Sequence, residues 1–135
     1  MRRFWTIGFS VDLGVVVLAS VLAYSGCIPT QVALLPHADW GLHFLGYGLL
    51  AFFLDGLMQH RVLATWRGMR IKQAPALVLA VAGVEELLQQ LSPRRSCSIG
   101  DFVADLFGVT VAALLAEPVA RYLAGRLTAT RAKTV

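Results

Sequence analysis

Four long apolar blocks constrain the fold of this 135-residue sequence more than any other feature. They lie at about residues 4–24, 41–59, 74–91 and 101–123. Each approaches the ~20 residues that a helix needs to cross a bilayer, although the third is the shortest. Hydrophobic residues make up 57% of the chain, well above the roughly 45–50% of soluble domains. The blocks therefore predict an all-α integral membrane four-helix bundle over residues 1–125, followed by a basic tail over residues 126–135.

The basic residues predict the orientation of these helices. Cytoplasmic connections of membrane proteins collect Lys and Arg, and placing both termini in the cytoplasm puts ten of the twelve basic residues there. These ten are Arg2, Arg3, Arg61, Arg67, Arg70, Lys72, Arg121, Arg126, Arg131 and Lys133. They form short groups between apolar blocks rather than a stripe interleaved with aromatic residues, so a nucleic-acid partner is not expected. The three tryptophans fall near predicted helix ends, as in an interfacial aromatic belt.

The first apolar block has a second interpretation. Arg2 and Arg3 before an apolar run also resemble the start of a secretory signal peptide. The run is about twenty residues long, and no clear cleavage site of small residues follows it. These features favour an uncleaved first transmembrane helix.

Polar residues collect near one predicted face of the membrane, the extracytoplasmic one. A charged side chain in the middle of a membrane helix costs at least about 2.5–3.5 kcal/mol, so such residues need a partner, water or a function. A spacing of four places Asp39, His43 and Tyr47 on one helix face, and likewise Asp101 and Asp105. Further polar residues of this face are Glu85, Glu86, Gln89, Gln90, Arg94, Arg95, Ser96 and Ser98. The sequence thus predicts one polar pocket, with Ser98 as a helix cap.

Two segments carry a resemblance to a known family. The runs from Asp39 to Tyr47 (DWGLHFLGY) and from Glu86 to Gly108, with its ELLQQLSPRRSCSIGDFVADLFG pattern, resemble the two signatures of the VanZ-like membrane proteins. The resemblance implies four short helices, the bacterial inner membrane and a link to glycopeptide antibiotic resistance, but no defined reaction. Trp40 and Asp105 stand where the family usually has Lys and Asn. A more acidic pocket is therefore expected here.

The pocket residues suggest a ligand site or a catalytic site. His43 is a candidate general base, with Glu86, Asp101 or Asp105 to orient it, and Arg95 is a candidate phosphate ligand. The expected ligands are membrane lipids, including a polyprenyl phosphate or a peptidoglycan precursor. Catalytic candidates are thus His43, Glu86 and Asp101, and ligand-binding candidates are Asp39, Tyr47, Gln89, Arg95 and Asp105.

Other interpretations stay open at this level. Arg95 and His43 can simply pair with nearby carboxylates and fasten the helices. Alternatively, the chain is an accessory subunit of a larger membrane complex. Asp12 in the first helix and Asp55 in the second bear on this, because a carboxylate without a basic partner inside the chain suggests a partner on another subunit. A metal site is a third possibility, because nitrogen and oxygen ligands are offered by His37, Asp39, His43, Glu86 and Asp101. No HExxH or Cys-pair signature marks one, and no cofactor is expected. Cys27 and Cys97 either form a disulfide outside the membrane or are small apolar residues near helix ends.

Overall fold

The computed structural model describes residues 1–27, 38–92 and 98–132. The described ranges contain four helices, namely α1 (Arg2–Ser25), α2 (Ala38–Leu57), α3 (Gln73–Gln89) and α4 (Ile99–Ala132). A short antiparallel hairpin, β1 (Val62–Trp66) and β2 (Met69–Lys72), connects α2 to α3. The predicted all-α class is therefore confirmed, and the hairpin is an addition to it.

Three of these helices are long and apolar enough to cross a membrane. Within the described part of the chain they are α1, α2 and residues Ile99–Arg126 of α4. Helix α3 has 17 residues. At ~1.5 Å per residue it is about 26 Å long, slightly shorter than the ~30 Å hydrocarbon core of a bilayer. A membrane crossing by α3 stays a prediction.

The segment predicted as a basic tail is helical where the structure describes it. Helix α4 continues through Arg126 to Ala132. The residues after Gly125 include Ala, Arg and Leu, which are good helix formers, and no proline interrupts them. The helix therefore propagates beyond its apolar part.

The connection between α2 and α3 is more ordered than predicted. Trp66 pairs with Met69 across a two-residue turn formed by Arg67 and Gly68. Both turn residues have positive φ, 48° and 81°, as a type I′ hairpin turn requires. The Arg67 guanidinium lies 5.0 Å from the centre of the Trp66 ring and adds a cation–π contact.

Glycines set the distance between the helices. A Cβ atom on Gly48 of α2 would lie 3.1 Å from the carbonyl group of Gly108 in α4, and a Cβ on Gly108 would collide with the carbonyl oxygen of Phe44. The two backbones are therefore in direct contact, as small residues allow in membrane helices. A core of small and aliphatic side chains with one tyrosine continues this interface: Tyr47, Leu50, Ala51, Val78, Ala82, Val109 and Ala112.

Helix α1 packs antiparallel to α2. The Trp5 ring fills the space above Gly56, and Phe53 fills the space above Gly8. Trp5 lies near the start of α1 and is buried against α2. The packed helices thus have two ends: the "hairpin end", where α1 begins and α2 ends, and the "His43 end", where α2 and α4 begin.

Candidate functional site

A buried histidine–aspartate pair occupies the His43 end. The Nδ1 atom of His43 on α2 lies 3.1 and 3.3 Å from the two carboxylate oxygens of Asp105 on α4. Asp105 is fully buried and His43 is 9% exposed. A carboxylate accepts hydrogen bonds, so His43 donates to Asp105 when Nδ1 carries the proton. The Nε2 atom makes no hydrogen bond within the described ranges.

Glu86 and Gln89 of α3 extend this polar cluster. Glu86 Oε2 accepts a hydrogen bond of 3.0 Å from the backbone N–H of Ser98, and Glu86 Oε1 accepts one of 3.4 Å from Gln89 Nε2. Gln89 is fully buried, and its Oε1 atom has no hydrogen-bond partner among the described residues. Ser98 Oγ in turn accepts from the backbone N–H of Asp101 at 3.3 Å, which confirms the predicted cap of α4.

Two overlapping groups of potential metal-ligand atoms include the His43 imidazole. One group joins His43, Glu86 and Asp105, all of them buried, and the other joins His43, Asp39 and Asp101. Within each group the nitrogen and oxygen atoms lie within 4.8 Å of one another. The described part of this site is therefore rich in carboxylates.

A second polar network, around Glu85, lies beside the first and includes Ser20, which has no predicted role. Glu85 Oε1 accepts a hydrogen bond of 2.9 Å from Ser20 Oγ of α1, and Glu85 Oε2 accepts one from the Tyr47 hydroxyl of α2. This network fastens three helices. Ser20 is not predicted to take part, because a single serine in an apolar block gives no signal of its partner. The Tyr47 ring also stacks on His43, with ring centres 5.9 Å apart.

Seven of the eight predicted site residues lie in the described ranges, and all seven are at the His43 end. They are Asp39, His43, Tyr47, Glu86, Gln89, Asp101 and Asp105. Arg95 lies outside the described residues, as do Arg94, His37 and Cys97, so the predicted phosphate contact and disulfide are untested. Cys27 is exposed. Of the carboxylates proposed to orient His43, Asp105 pairs with it.

The hairpin end carries its own buried cluster. Asp55 is fully buried, and its Oδ2 atom accepts hydrogen bonds from His60 Nδ1 at 2.7 Å and from Lys72 Nζ at 2.9 Å. Lys72 also donates to the carbonyl oxygen of Ala113 at 2.9 Å. Asp55 is therefore paired inside the protein.

Asp12 faces the protein interior. It is 9% exposed, and its Oδ2 atom has no hydrogen-bond partner among the described residues. Its neighbours one turn away on α1, Gly8 and Val16, contact Phe53 and Gly46 of α2. The carboxyl group thus lies along the α1–α2 interface.

Comparison with known proteins identifies no relative of this chain. No protein-family model, curated protein or solved structure matches the chain. The VanZ-like resemblance rests on the residues of the His43 end, and it stays a prediction.

Proposed function

We propose that this chain is a VanZ-like multi-pass protein of the bacterial inner membrane, whose His43 end faces outward and binds the headgroup of an envelope lipid or cell-wall precursor. In this arrangement the four helices form an N-in, C-in bundle. The observation that carries the proposal is the buried His43–Asp105 pair with Glu86 beside it. Buried polar groups at membrane depth are costly, so a cluster of them in one place points to a function.

The chemistry of the cluster indicates which part of a headgroup it contacts. Carboxylates accept hydrogen bonds and attract cations, so Glu86, Asp101 and Asp105 suit hydroxyl and ammonium donors. They repel a phosphate. A phosphate would have to be bound by Arg95, whose guanidinium fits phosphate geometry. A headgroup that combines hydroxyl or ammonium groups with a phosphate meets both requirements, and lipid-linked cell-wall precursors have this composition.

The geometry of His43 also suits proton transfer. Asp105 fixes the imidazole tautomer with the proton on Nδ1, which leaves the Nε2 lone pair as a base, as in catalytic histidine–aspartate pairs. A bound hydroxyl or ammonium group that donates to Nε2 would be correctly placed to lose its proton. Binding alone, without turnover, uses the same contacts.

Native mass spectrometry with lipid analysis tests the proposal. Gently extracted wild-type protein is expected to retain one specific lipid, and both His43→Ala and Arg95→Ala are expected to lose it. Arg67→Ala, which removes an arginine from the hairpin turn, is the matched control and should retain the lipid. If no lipid is specific to the wild type, the ligand-site proposal is wrong. Larger protein assemblies without such a lipid would instead indicate the accessory subunit.

A further inference from the structure

The hairpin end contains a cavity that the proposed headgroup site does not involve. The cavity has a volume of about 780 Å³ and lies where the start of α1, the end of α2 and the second half of α4 meet. This volume is within the range of about 300–1,000 Å³ that is typical of small-ligand pockets. Trp5, Leu57 and Ala120 provide apolar wall, so the cavity has both an apolar and a polar side.

Three arginines from three different elements line this cavity. They are Arg2 of α1, Arg61 of the segment before β1, and Arg121 of α4. None of the ion pairs in the described ranges involves these three side chains. Among the described residues the lining carboxylate is Glu117, and its Oε2 atom lies 3.9 Å from Lys72 Nζ. The cavity is therefore strongly positive.

The backbone before β1 is held in an unusual conformation that places Arg61 at the cavity. Gln59 and His60 have φ values of 55° and 57°, which residues other than glycine rarely adopt. The His60 N–H donates to the Asp55 carbonyl oxygen at 2.9 Å, and the Gln73 N–H donates to the Arg61 carbonyl oxygen at 2.8 Å. Arg61 is thus anchored on both sides, by α2 and by the start of α3.

We propose that this cavity binds the phosphate of an anionic phospholipid headgroup. Guanidinium groups bind phosphate oxygens in a forked geometry, and the three arginines that line this cavity have no ion pair to any described carboxylate. The cavity adjoins the ends of α1 and α2, both candidate membrane spans, so it lies at the level where lipid headgroups occur. The apolar wall and the exposed apolar surface of α1 are suited to the acyl chains. This site does not depend on the function proposed for the His43 end.

Phospholipid binding to matched double variants tests this site. The full chain is reconstituted in phosphatidylcholine nanodiscs that contain increasing fractions of phosphatidylglycerol, and native mass spectrometry counts the phosphatidylglycerol molecules retained. Arg61→Gln/Arg121→Gln removes two cavity guanidiniums. Arg3→Gln/Arg67→Gln removes the same charge from the hairpin end outside the cavity. All four side chains are exposed, and equal melting temperatures verify that both variants are folded.

The proposal predicts an apparent affinity at least about tenfold lower for the cavity variant than for the control variant. Equal losses in the two variants would show a diffuse attraction of basic residues to the anionic surface, and would overturn the proposal. Inorganic phosphate is added in a separate titration to distinguish the source of the phosphate group. Failure of millimolar phosphate to displace the lipid supports a lipid ligand, whereas complete displacement would indicate a soluble phosphate compound and contradict it.

Discussion

Replacing Lys72 with methionine is expected to lower the free energy of unfolding by about 3–5 kcal/mol, because the change leaves a buried carboxylate without its ammonium partner. The side chain of Lys72 is 10% exposed and that of Asp55 is fully buried. Lys72 also donates to the carbonyl oxygen of Ala113, so it connects α2, β2 and α4. Methionine fills a similar volume but makes none of these contacts. Unfolding by a denaturing detergent in mixed micelles measures the loss.

Two further variants separate the effect of the buried pair from a general loss of charge. Arg70→Met removes an exposed cation two residues earlier in β2 and should change stability by less than about 0.5 kcal/mol. Asp55→Asn/Lys72→Met removes both charges and should recover much of the stability lost in Lys72→Met. A Lys72→Met protein as stable as Arg70→Met would mean that the pair does not stabilise the fold.

Replacing Gly108 with alanine is expected to destabilise the bundle by about 1–3 kcal/mol, because one methyl group has no space between α2 and α4. The added Cβ would collide with the carbonyl oxygen of Phe44, which belongs to a helix backbone and cannot rotate away. The two helices would have to separate, and the His43–Asp105 pair, one turn from Gly108, would be stretched. The same detergent unfolding experiment measures the effect.

The control for this substitution has the opposite expected sign. A Cβ atom added to Gly14 of α1 would have no neighbouring atom within 4 Å, so alanine fits there without contact. Alanine is favoured over glycine in a helix by roughly 0.5–1 kcal/mol, so Gly14→Ala should be neutral or slightly stabilising. If Gly108→Ala behaved in the same way, the close contact of α2 and α4 would be incorrect.

The helices themselves are largely predictable from the sequence. Long apolar blocks bounded by charged or turn-forming residues give the existence and approximate ends of α1, α2 and α3. The hairpin is harder to predict because its strands are four to five residues long and mostly exposed, so no burial pattern marks them. Its available signal is the Arg67-Gly68 pair between two short stretches rich in apolar and β-branched residues.

The partners inside the two clusters are less predictable. Spacing along one helix shows which residues share a face, so Asp101 and Asp105 are equivalent candidates from sequence alone. The rotation and separation of α2 and α4, which the glycine contact fixes, decide that Asp105 pairs with His43. In the sequence, Lys72 is a cytoplasmic charge that indicates membrane topology, and nothing marks it as the partner of Asp55. The two residues meet because the hairpin brings Lys72 back to α2.

The orientation of the bundle is the claim on which the outward-facing headgroup site depends. Labelling of single cysteines in intact bacterial cells with a membrane-impermeant maleimide tests it most directly. The variant Cys97→Ser retains the native, exposed Cys27 at the His43 end, whereas Cys27→Ser/Cys97→Ser/Met69→Cys places one thiol in the exposed hairpin. We predict that Cys27 reacts in intact cells and that the hairpin thiol reacts only after lysis. Labelling of the hairpin in intact cells, with Cys27 protected, would contradict the account.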